Sequence, residues 1–124
     1  MDTQKKSYED ISDYPLLAAI EVIGGKWKTI ILYMLYDQTL RFGELKKSSP
    51  KITQKMLTQQ LRELEADGLV TRVAFNEIPP KVEYSLTEYA KELGPILGQL
   101  CEWGGRLNNL RSCLTLSIQL LLLK

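Results

Sequence analysis

Residues 52–70 read ITQKMLTQQLRELEADGLV, and the reading of this stretch decides the fold. Thr53 is a natural N-cap, because its side-chain oxygen can accept from a backbone N–H that the first helical turn leaves unpaired. Ile52, just ahead of it, is placed to pack on Leu57 as a hydrophobic staple. At roughly 100° per residue, Leu57, Leu61 and Leu64 fall within about 60° of one another and form an apolar stripe. Lys55, Thr58, Gln59 and Arg62 lie on the opposite side, spread over about 100°, with no acid among the four. Asp67-Gly68 ends the helix, since glycine enters the left-handed conformation that a C-terminal cap requires. Arg and Lys suit the acceptors of guanine, and Gln suits the adenine edge, in a major groove. A polar helix face commonly meets water alone, so the assignment needs the neighbouring elements.

Upstream, Ser48-Ser49-Pro50 marks a tight turn. A brief helix over Phe42–Lys47 precedes it, reached through an extended piece at 39–41. A further helix is expected from about Lys26 to Tyr36, with Trp27, Ile30, Ile31, Met34 and Leu35 on its buried side. Gly24-Gly25 separates that helix from a first one, which Pro15 opens and along which Leu16, Leu17, Ile20 and Ile23 form an apolar stripe. A short helix, a tight turn and a second helix with a polar outer face make a helix-turn-helix.

Downstream, residues 69–75 (LVTRVAF) are rich in β-formers, and residues 81–86 (KVEYSL) alternate apolar and polar. The stiff connection NEIPP (76–80) joins them. A hairpin directly after the helix with the polar face is a wing. Thr87 is a candidate N-cap for the last helix, with Ser85 and Glu88 as an alternative capping box. Leu93, Ile96, Leu97, Leu100 and Trp103 give that helix an apolar stripe, and Gly94-Pro95 is placed to kink it. The fold class expected is thus mainly α with a small β-hairpin wing: a winged helix-turn-helix. The apolar stripe of the last helix reads either as a dimer surface or as packing on its own domain.

Composition narrows the function. The 124 residues are 44% hydrophobic and 25% charged, which suits one globular domain. Histidine is absent, which removes the commonest general base and metal ligand at neutral pH, and neither cysteine, Cys101 or Cys113, has a partner at metal-ligand spacing. No stretch reaches the ~18 apolar residues of a membrane span. A cytoplasmic, reducing compartment is expected, with no cofactor and no membrane partner. The net charge of +1 is unevenly spread: residues 22–62 hold eight Lys/Arg against Asp37 and Glu44, whereas the flanks are both net acidic. A basic middle beside a helix-turn-helix points to a polyphosphate partner.

With these segments in order, the chain resembles the HxlR family of winged-helix regulators, which is related to the MarR proteins. The resemblance rests on VIGGKW (22–27), LRFGEL (40–45), ITQKMLTQQLRELEADGLV (52–70), PPKVEYSLT (79–87) and LCEWG (100–104). It implies a homodimer built from the first and last helices, a 53–67 helix entering the major groove and a 70–86 hairpin touching the flank. It also implies a transcriptional regulator, without a cofactor for binding, that responds to electrophiles or oxidants. Sensing relatives carry a cysteine just before the proline of the first helix, where this chain has Tyr14; Cys101 is then either a sensor thiol or a small buried hydrophobe.

The domains expected are a flexible arm over 1–13, the winged domain with its dimerisation helices over 14–106, and an apolar tail over 107–124. The tail extends past the resemblance, and Leu107, Leu110, Leu114, Ile118 and Leu121 would share a helix face. Double-stranded DNA is the partner expected, bound as an inverted repeat, with Lys55, Thr58, Gln59 and Arg62 reading bases. Lys26, Lys28, Arg41, Lys46, Thr53, Arg72 and Lys81 are the candidates for phosphate or wing contact. Two other readings stay open: a winged helix that binds only a partner protein, and a small-molecule effector held near Tyr14, Trp27 and Trp103.

Overall fold

A computed structural model describes residues 13–122, without the side chains of 114–121. The arm expected over 1–13 lies outside the described residues except for Asp13, as do the side chains of Leu114, Ile118 and Leu121. The elements run α1 (Pro15–Ile23), α2 (Lys28–Leu35), β1 (Leu40–Arg41), α3 (Phe42–Ser48), α4 (Gln54–Ala66), β2 (Val70–Phe75), β3 (Lys81–Leu86), α5 (Glu88–Lys91) and α6 (Leu93–Leu122). The fold is mainly helical, with a small antiparallel sheet in the order β1-β3-β2. Its β2–β3 hairpin, in register from Val70 opposite Leu86 to Phe75 opposite Lys81, is the wing.

The segment 52–70 folds for local reasons. The Thr53 side chain accepts from the Met56 N–H at 3.1 Å, and Ile52 and Leu57 are both buried. At the other end Gly68 takes φ +75°, the Leu69 N–H donates to the Leu64 carbonyl at 2.9 Å, and the Gly68 N–H donates to the Glu65 carbonyl at 3.0 Å. These two bonds satisfy carbonyls that the helix end would leave open. The apolar stripe Leu57, Leu61 and Leu64 meets Ile31, Leu32 and Leu35 of α2, Leu45 of α3 and Leu86 of β3 in one core. Each such fully buried aliphatic side chain contributes about 1.5–3 kcal/mol.

Two expectations are corrected. Helix α2 is shorter than the 26–36 span, and its buried side differs at one position: Ile31 and Leu35 are buried and Trp27 and Met34 pack against the core as expected, but Ile30 is exposed and Leu32 is buried in its stead. The last helix is divided rather than kinked. Pro95 has no N–H to offer the Lys91 carbonyl and its ring would crowd that carbonyl, so α5 stops at Lys91 and α6 restarts at Leu93 with Pro95 in its first turn. Gly94 sits where a Cβ would collide with the ring of Tyr36, which seats the start of α6 against the end of α2.

Helix α1 buries none of its nine residues; Leu16 is 74% and Ile20 53% exposed. On α6, Ile96, Leu100 and Trp103 are exposed while Leu97 enters the core. Among the described residues no helix is long and apolar enough to cross a membrane.

Candidate nucleic-acid interface

Helix α4 rests on its leucine floor and turns the other side outward. There Lys55, Thr58, Gln59 and Arg62 line a single open groove of about 700 Å³, together with Gln54 and Glu63. Lys55, Gln59 and Arg62 are exposed, and Lys55 and Arg62 form no ion pair or hydrogen bond among the described residues. The Thr58 hydroxyl donates to the Gln54 carbonyl at 2.9 Å, so its oxygen keeps an outward lone pair. A second depression, of about 370 Å³, places Arg72 of the wing beside Thr58 and Arg62. The base-reading candidates and one wing cation therefore form a continuous surface.

The other phosphate candidates line neither depression, and their surroundings differ. Arg41 is exposed, with its backbone N–H bound by the Glu44 carboxylate at 2.9 Å. Lys26 lies over the Trp27 ring, 5.2 Å from its centre. The Lys46 ammonium donates to the Pro50 carbonyl at 3.0 Å, across the turn that leads into α4. Lys81 is held by Glu83 at 2.9 Å and lies over the Phe75 ring at the base of the wing tip. Thr53 is engaged as the cap of α4.

Lys28 needs correction. It is only 9% exposed, and its ammonium pairs with Glu63 Oε2 at 2.8 Å, so it ties α2 to the underside of α4 and offers nothing to a phosphate. Glu63 was outside the arc of four outer-face residues, and its place in the groove means that the outer face is not free of acid. The Gln59 amide donates to Glu63 Oε1 at 3.4 Å. The Lys28 ammonium, followed by the Gln59 amide, holds the Glu63 carboxyl below its ordinary value, against a smaller opposing effect of desolvation. Only the i, i+4 spacing of Gln59 and Glu63 hinted at this in the sequence.

Cys101 and Cys113 are free cysteines, exposed in the single chain. Cys101 borders an apolar cleft of about 290 Å³ between α2 and α6, with Ile30, Tyr33 and Leu97. Trp27 packs against the core, whereas Tyr14 and Trp103 are exposed.

The HxlR-like helix-turn-helix family profile matches residues 22–111. The chain belongs to the HxlR family. This HxlR protein is 54% identical over 101 residues to the uncharacterized HTH-type transcriptional regulator YtcD of Bacillus subtilis (strain 168), covering 82% of this chain and 77% of that one. It is 51% identical over 110 residues to the uncharacterized HTH-type transcriptional regulator BH0655 of Halalkalibacterium halodurans, covering 88% and 97%. Among solved structures, the redox regulator HypR in its reduced form aligns with a TM-score of 0.76 and 49% identity, over 81% of this chain and 99% of that one. The fold is therefore the winged helix of the HxlR and MarR-type regulators. The HxlR protein is a DNA-binding transcriptional regulator and not an enzyme.

Proposed function

We propose that the protein is a homodimeric, sequence-specific binder of double-stranded DNA that selects an inverted-repeat operator in the cytoplasm. The observation that carries this reading is the shared groove of Lys55, Thr58, Gln59 and Arg62 on α4, with Arg72 of the wing beside it. Arg62 and Lys55 supply donors for guanine, Gln59 supplies a donor and an acceptor for adenine, and Thr58 serves either. Arg72, Arg41, Lys26 and Lys46 neutralise phosphates along the flank; Lys81 follows if it leaves Glu83. The DNA-binding unit with its dimerisation helices spans 14–106.

The dimer is supported by the exposed apolar sides of α1 and α6, which a second copy would cover. Two-fold symmetry then sets the two α4 helices in successive major grooves, roughly 34–36 Å apart. Leu110, exposed on the continuation of α6, lies where the 107–124 tail would lengthen that contact. An effector is a further expectation, since HypR, which this chain resembles, is a redox regulator. Tyr14 stands where sensing relatives carry cysteine, which leaves Cys101 as the candidate thiol on α6.

The test is selection of genomic fragments by the purified protein, with the selected fragments rebound at two salt concentrations. One enriched inverted repeat, bound more weakly as salt rises, supports the proposal. Binding without sequence preference, or none, would instead favour a winged helix whose partner is a protein.

A further inference from the structure

An acidic side chain in a groove built for a polyanion needs a reason, and Glu63 is such a side chain. One of its oxygens, Oε2, is taken by Lys28 of α2, whose side chain is largely buried. The other, Oε1, accepts from the amide of Gln59 on the next turn of the same helix. Lys28 thus cancels the charge of Glu63 from the core side, and the carboxylate still borders the groove.

The consequence for Gln59 follows from donor and acceptor chemistry. A glutamine amide can turn over and present either its oxygen or its NH₂ to a neighbour. An ionised carboxylate accepts only, so Glu63 tolerates the NH₂ end alone. With one N–H directed at Glu63, the second N–H and the amide oxygen have no partner among the described residues. That pair is the donor–acceptor set that matches adenine N7 and N6. The side chain also loses part of its rotamer freedom before DNA arrives, which lowers the entropy lost on binding.

We propose that Glu63, clamped by Lys28, is a positioning residue that orients Gln59 for reading one base pair. This rests on the DNA-reading role proposed above for the α4 face. Lys28 acts two steps away from the DNA, through Glu63, and not as a phosphate contact.

The test uses full-length protein and a randomised duplex library, followed by duplexes with single base-pair changes in the selected site. Gln59→Ala identifies the base pair that Gln59 reads, where a bidentate contact is worth roughly 5–150-fold in preference. The paired substitution Lys28→Met/Glu63→Met removes both charges while keeping apolar contact between α2 and α4, a kind of exchange that folded proteins tolerate. It is expected to lower the preference at that same base pair by at least about threefold and to leave the others unchanged. Glu63→Gln, which keeps an acceptor oxygen but no longer demands the donor end of Gln59, falls between the two.

Wild-type preference retained in the paired variant overturns the proposal, and so does a loss spread evenly over all positions, the mark of a merely structural role. Should the paired variant not fold, Glu63→Gln decides, and an unchanged preference at the Gln59 position overturns it. A wild-type protein with no sequence preference overturns the DNA-reading role itself, and this inference with it.

Discussion

Thr87 joins the end of α4 to the start of α5, and replacing it with valine measures how strongly. Its hydroxyl oxygen accepts from the Ala90 N–H at 3.2 Å, capping α5, and its hydroxyl hydrogen goes to the Gly68 carbonyl at 2.8 Å, just past the end of α4. Thr87→Val keeps the shape and removes both bonds. Loss of a helix N-cap costs about 0.5–2 kcal/mol. Loss of the second bond adds about 0.5–1.5 kcal/mol. Ala90 is fully buried, so its N–H has little access to water in exchange, which favours the upper part of each range. The expected loss is about 2–3.5 kcal/mol, or roughly 8–14 °C in Tm for a chain of this length. Thr87→Ser keeps the oxygen and should stay within about 0.5 kcal/mol of wild type. Urea unfolding at a fixed protein concentration reads the difference without confusion from self-association. Amide exchange at Ala90 should accelerate in the valine variant alone. A valine variant as stable as wild type, with Ala90 equally protected, would refute the reasoning.

Arg62→Ala should weaken binding to the selected operator by about 1–3 kcal/mol and relax preference at one position, as titrations on matched and substituted duplexes would reveal. Gly94→Ala gains about 1 kcal/mol of helix propensity but drives a Cβ into the Tyr36 ring, an overpacking of about 1–3 kcal/mol, so thermal melts should show net destabilisation. In a Tyr36→Ala background the same change should become neutral or stabilising. The depressed Glu63 pKa means that the Lys28–Glu63 clasp contributes fully above the ordinary value of 4.5 and is lost as pH falls through the lower folded value. Acid-unfolding curves of wild type and Lys28→Met/Glu63→Met should therefore change their separation only in that acid window, and a separation constant with pH would contradict the assignment.

Features fixed by near neighbours in the chain were legible in the sequence. The cap at Thr53, the staple of Ile52 and Leu57, the glycine end at Gly68 and the 3.6-residue spacing of three leucines each follow from contacts within a few residues. So did the face that carries Lys55, Thr58, Gln59 and Arg62, because a helix with one apolar stripe must turn the opposite side outward. The wing was legible for the same reason, its alternation and stiff turn being local. These features, in their order along the chain, were enough to determine a winged helix-turn-helix with a polar outer face on α4.

Packing between distant segments was left to the tertiary structure. Lys28 stands in a basic stretch and reads as a phosphate contact; only the approach of α2 to α4, which brings Glu63 to 2.8 Å, turns it into an internal counter-charge. A lysine can be buried only where a carboxylate and its own hydrogen bonds replace water, and no sequence spacing of 35 residues announces that. Likewise Leu32 takes the buried place expected for Ile30 because the core lies at a rotation about α2 that its own pattern does not set. Pro95 announced a break, but the seat of the Tyr36 ring on Gly94 depends on where the second helix ends in space. The sequence determined the elements, through short-range hydrogen bonds and periodicity; the fold decided which charges face solvent and which face each other, since desolvation depends on all the neighbours at once.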